Sequence, residues 1–160
     1  MSDVATLLAE CGAARLAIVQ QHEASARAVG HYDFNNTYQY VINREDTHLR
    51  WLESSIVEFG GTPEVIAEPT LTPASGKGND KFLPLVRQDA AAQQELVDKW
   101  KPRAGQIRSE RHRKMVTLML GESLEQKRFF EHMLEGQDDL LGRRMAGAST
   151  GDGVMPVRWV

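Results

Sequence analysis

An all-α four-helix bundle is the fold this sequence predicts, on three observations. Apolar residues recur at three- and four-residue spacing along four separate stretches, no segment before the last few residues alternates with the two-residue period of a strand, and 160 residues suit one domain. The expected arrangement is two antiparallel helix hairpins joined by a long crossover, residues 1–145, followed by a short C-terminal tail, residues 146–160.

The first helix is expected over residues 3–29, with Val4, Leu7, Leu8, Cys11, Ile18, His22 and Val29 on one face and Gly30 as its stop. The second is expected over residues 36–59, entered through an Asn-Asn-Thr cap and closed by Gly60, Gly61, Thr62 and Pro63. Its inner face carries Tyr38, Val41, Ile42, Glu45, Leu49, Leu52 and Ile56. Residues 60–81 are rich in Pro, Gly, Thr and Ser and have no periodicity of their own.

The third helix, residues 82–101, turns Val86, Asp89, Ala90, Gln93, Leu96, Val97 and Trp100 inward, and Pro102 and Gly105 mark a break after it. The fourth, residues 106–143, turns Met115, Met119, Glu122, Gln126, Phe129, Phe130, Met133 and Leu140 inward. A second helix of this length is roughly 36 Å long. The connection after it can stretch to about 70 Å, enough to return along the bundle and start the third helix parallel to the second.

Charge and cysteine content exclude several functions. With 19 Lys+Arg against 22 Asp+Glu and a net charge of −3, there is no electrostatic case for nucleic acid or an anionic membrane. Cys11 is the one cysteine, so there is neither an internal disulfide nor a Cys-x-x-C pair for zinc or redox work. No apolar stretch approaches the roughly 18 residues that span a bilayer, and acids stand where a signal peptide has lysines. A soluble, cytoplasmic protein is expected, and a homodimer on the general frequency of symmetric pairs.

The informative anomaly is polar. Glu45 lies in the centre of the second helix's inner stripe, with His48 one turn on; Asp89 and Gln93 hold the equivalent place in the third helix, Glu122 and Gln126 in the fourth. Buried carboxylates cost several kcal/mol each, on the order of that range, unless a cation accompanies them. Arg15 and His22 also face inward. Either a metal or a side-chain cation is therefore expected among these acids.

Glu45-Asp46-Thr47-His48 is a Glu-x-x-His on a helix, a set of oxygen and imidazole donors suited to iron or manganese. The run from Glu45 to Glu53, closed by Phe59, Gly60, Gly61, Thr62 and Pro63, resembles the second helix of the ferritin-like superfamily, the bacterioferritin and rubrerythrin group. That resemblance implies a di-iron carboxylate centre, with manganese as the alternative metal, reacting with dioxygen or peroxide as a ferroxidase- or peroxidase-like oxidoreductase supplied by an external reductant. Its implied ligands are Glu45, His48, Asp89, Glu122 and Glu125. Glu122-Ser123-Leu124-Glu125 partly echoes Glu-x-x-His, with Glu125 where the histidine belongs, and Asp89 precedes Glu122 by 33 residues, about the family's spacing.

Counting back from Glu45, the first-helix carboxylate of that family falls near Gly12, where there is none. The competing explanation is a non-catalytic scaffold or interaction module in which Arg15 replaces the metals with a buried ion-pair network. A third is a helical interaction module that uses its apolar tail, Val154 to Val160. The methionines Met115, Met119 and Met133 suit core packing, and Arg111-His112-Arg113-Lys114 suits a solvated face.

Overall fold

The computed structural model describes residues 3–63, 65 and 77–141. Among them lie four α-helices and one short 3-10 turn, and no strand: α1 Asp3–Ala28, α2 Tyr32–Glu58, the turn Gly78–Phe82, α3 Leu83–Ala104 and α4 Glu110–Leu134. The tail, residues 146–160, lies outside the described residues.

The turn between α1 and α2 is tighter than the sequence predicts. α2 starts at Tyr32 because His31 supplies the cap, its Nδ1 accepting the Phe34 amide proton at 3.2 Å. Asn35 instead donates back to the carbonyls of Ala26, at 2.8 Å, and Val29, at 3.3 Å. Those bonds close the end of α1, so Gly30 is not a left-handed cap; among the described residues the left-handed glycines are Gly60, Gly78 and Gly136.

α3 runs on through Pro102, which sits in the last turn where a single lost amide bond is tolerated, and stops two residues later. α4 begins at Glu110, after Ser109, whose hydroxyl pairs with His112 Nδ1 at 2.6 Å. It ends earlier than predicted because Gly136, at φ 84°, reverses the chain; the amides of Gly136 and Gln137 bond back to Met133 and His132, both at 3.0 Å. Leu140 therefore packs from outside the helix.

Contacts along the helices fix their directions. Gly12 of α1 faces Leu52 and Ile56 while His22 meets Glu45, so α1 and α2 are antiparallel. Gln93 donates to Gln126 at 2.9 Å between antiparallel α3 and α4. Ser55 reaches Met115, and the Tyr40 and Phe129 rings lie 5.7 Å apart, so α2 and α4 are antiparallel as well. α2 and α3 accordingly run parallel, as the long connection requires.

The apolar core is divided in two. Leu8, Cys11, Leu52, Ile56, Trp100 and Met119 form one cluster toward the start of α1. Val29, Phe34, Tyr38, Val86, Phe130 and Met133 form the other toward its end. Between them lies a band of buried polar side chains.

Candidate functional site

Glu45 is the hub of that band. It is fully buried and bonded by three side chains from two other helices: His22 Nδ1 at 2.8 Å and Arg15 Nη1 at 3.4 Å from α1, and Gln93 Nε2 at 2.6 Å from α3. Arg15, 1% exposed, also donates to the Ser123 hydroxyl at 2.6 Å, and Ser123 donates on to the Met119 carbonyl at 2.9 Å. Burial pushes the Glu45 carboxyl up, but the charge and hydrogen bond of His22, then Arg15 and Gln93, outweigh it and hold the group below its ordinary value. Burial likewise opposes the charged form of His22, and Glu45 and Asp89 overcome it, raising the imidazole above its ordinary value.

Asp89 lies on one side of Glu45 along the bundle. It accepts from the Tyr38 hydroxyl and from Gln21 Nε2 at 3.2 Å, and stands 3.9 Å from His22 Nε2. Burial raises its carboxyl, against the pull of His22, Tyr38 and Gln21. Tyr38 is pushed well up by burial and by Asp89, so it stays a protonated donor.

Glu122 lies on the other side. Arg44 grips it with Nη2 at 2.6 and 2.8 Å and Nε at 3.2 Å, and His48 Nε2 lies 2.6 Å from the same carboxylate. Burial and the Arg15 charge push His48 down to about 4 against the pull of Glu122, so the ring is neutral and donates from Nε2. Three carboxyl groups thus face two guanidiniums and the ring of His22.

Four of the five residues implied as ligands are brought into the interior: Glu45, His48, Asp89 and Glu122 are buried, while Glu125 is exposed on the outer face of α4 and takes no part. The four do not converge. With Gln93 level with Gln126, Glu122 is level with position 97, eight positions from Asp89 and about 12 Å along the axis. A di-iron centre needs carboxylates that face a shared pair of cations; here each is complemented by its own protein donors, and a guanidinium lies against the central one. These residues, so arranged, do not fit that group.

The helix 1 position level with Glu45 is His22, not Gly12. A Cβ on Gly12 would stand 3.0 Å from Ile56 Cδ1, within the apolar cluster. Counting residues misplaced the site by more than two turns because the α1–α2 turn is so short. Arg44 was missed altogether: it flanks the inner stripe one position before Glu45 and reaches Glu122 from the edge, a contact that no periodicity signals.

One His/Asp group among the described residues, His31, Asp33 and Asp138, brings potential ligand atoms within 4.8 Å of one another. It lies at the opposite end of α2 from the expected closing loop. His31 Nδ1 already accepts the Phe34 amide, which puts the ring proton on Nε2 and opposes ligation by either nitrogen.

What fold and layer define together is a four-helix all-α bundle with a buried layer of paired ionisable side chains. No family model matches the sequence, and no curated protein or solved structure matches it either.

Proposed function

We propose that this chain is a ferritin-like bundle in which an Arg15-centred ion-pair network stands where active members hold two metals, and that it serves as a non-catalytic binding scaffold. The observation that carries this reading is the Arg15 guanidinium, buried between Glu45 and Ser123. A fixed positive charge beside the central carboxylate repels a divalent cation strongly in a medium of low dielectric. Gln93 bonds the same Glu45 oxygen as Arg15, and His22 bonds the other.

A second reading, an iron- or manganese-dependent oxidoreductase, is favoured by one feature: Glu45 and His48, the Glu-x-x-His pair, are both buried on the inner face with Glu122 beside His48. One titration separates the two. Ferrous iron is added anaerobically, air is admitted, and bound metal and near-ultraviolet oxo-ferric absorbance are followed. The scaffold reading expects neither retained iron nor the absorbance band. About two irons per chain with fast oxidation, abolished by Glu45→Ala, would overturn it in favour of the di-iron enzyme.

A further inference from the structure

We propose that the outer face of α4 is a self-association surface, crossing a second copy of this chain antiparallel at Gly121. This deepens the scaffold reading, on which it rests, by naming the partner. Gly121 lies mid-helix and exposed, and a Cβ built on it meets nothing within 4 Å. No described residue of its own chain needs a glycine there, unlike Gly12, whose space Ile56 fills. Glycine is among the poorest residues for a helix interior, so its own-fold effect at this position is purely unfavourable. A close approach from outside is what a missing side chain permits.

The surroundings suit such an approach. Gly121 lines a shallow concavity together with Arg113, Lys114, Thr117, Leu118, Glu122 and Glu125. Leu118 and Leu124, 46% and 41% exposed, are the large exposed apolar side chains of α4. Under an antiparallel two-fold through Gly121, Leu118 of each copy comes level with the partner's Leu124, one leucine on either side of the seam.

Charge completes the self-complementarity. Lys114 lies seven positions before Gly121 and Glu125 four after, so Lys114 is offset from the partner's Glu125 by about 4.5 Å along the axis, which the lysine stem spans. The same pair forms twice. In the monomer Lys114 holds Glu110 at 2.7 Å, an exposed contact one turn away that exchanges at little cost. A single helix crossing buries less than the roughly 800 Å² per partner of a stable complex, so the dimer dissociates on dilution.

Sedimentation equilibrium from micromolar to near-millimolar protein, with thermal melts of the dilute monomer, tests this. Dimer is expected to rise with concentration. Gly121→Ala should raise the monomer's melting temperature by a few degrees, because helix propensity improves in open space, yet weaken association by about tenfold or more. Lys114→Glu and Glu125→Lys should each weaken association, and the double reversal should restore it. A monomer at every concentration, or a dimer indifferent to Gly121→Ala and to both reversals, would overturn the proposal. None of the three substituted positions belongs to the buried layer, so that failure leaves the Arg15 network standing, while iron uptake by the wild type would overthrow the scaffold reading whatever the association measurements show.

Discussion

The Arg15–Glu45 pair carries most of the meaning of the buried layer. Both side chains are at most 1% exposed; Glu45 is the carboxylate that Arg15 bonds, while Glu45 is also bonded by His22. Removing one partner of such a pair costs about 3–5 kcal/mol, since the survivor is left buried and uncompensated, whereas replacing both with apolar groups of similar volume is often close to neutral. Because His22 still faces Glu45, Arg15→Met is expected to fall at or below the lower end of that range in urea unfolding, about 3 kcal/mol, and Arg15→Met/Glu45→Leu to recover part of it. His22 and Gln93 lose an acceptor in the double variant, so recovery is incomplete. Costs that simply add would mean that the two side chains do not act as a pair. Glu122 stands apart from this cycle: its grip by Arg44, 35% exposed, is wetter, and Arg44→Ala is expected to cost less than Arg15→Met by the same measurement.

At the scale of the elements, turns set what helical periodicity leaves open. Gly136 holds φ at 84°, where a side chain is strained, so Gly136→Ala is expected to destabilise the bundle by about 1 kcal/mol, visible as a lower urea midpoint with an unchanged slope. No change there would mean that the end of α4 is already loose. The azimuth of each helix was legible in the sequence, because burial imposes a 3.6-residue period: Glu45, His48, Asp89, Glu122, Arg15 and His22 all face inward as their stripes imply. Axial height was not legible. It depends on turn length, and a His31 side chain capping α2 four residues ahead of the Asn-rich signal shifted α1 against α2, putting Gly12 among Leu52 and Ile56 and His22 beside Glu45. Glu125 came from the family pattern rather than from its stripe. It stands one residue, about 100° of turn, from buried Gln126, and so lies outside.

For the whole molecule, the charged layer makes stability a function of pH in both directions. The two apolar clusters on either side of it supply cohesion that does not titrate. His48 is held neutral when folded, with its value lowered from 6.5 to about 4. Between those values the unfolded chain binds a proton that the folded one refuses, so stability falls with acid over that window, by about 3 kcal/mol in full. Glu45, lowered when folded, adds a further loss as pH drops below the ordinary glutamate value through its own. His22 works on the other side: its folded value is raised, so the stability it contributes is complete below 6.5 and is lost as pH climbs through that raised value. A dome with its top near pH 6.5 follows. Its acid limb is set by His48 and Glu45 and opposed by Asp89, whose raised carboxyl favours the folded state as pH falls, and its alkaline limb is set by His22. Urea unfolding from about pH 4 to about pH 9 is expected to trace that dome in the wild type. His48→Gln should flatten the upper part of the acid limb and His22→Gln the alkaline one. An acid limb unaltered by His48→Gln would place the acid sensitivity on the carboxylates alone and remove the neutral imidazole from the account.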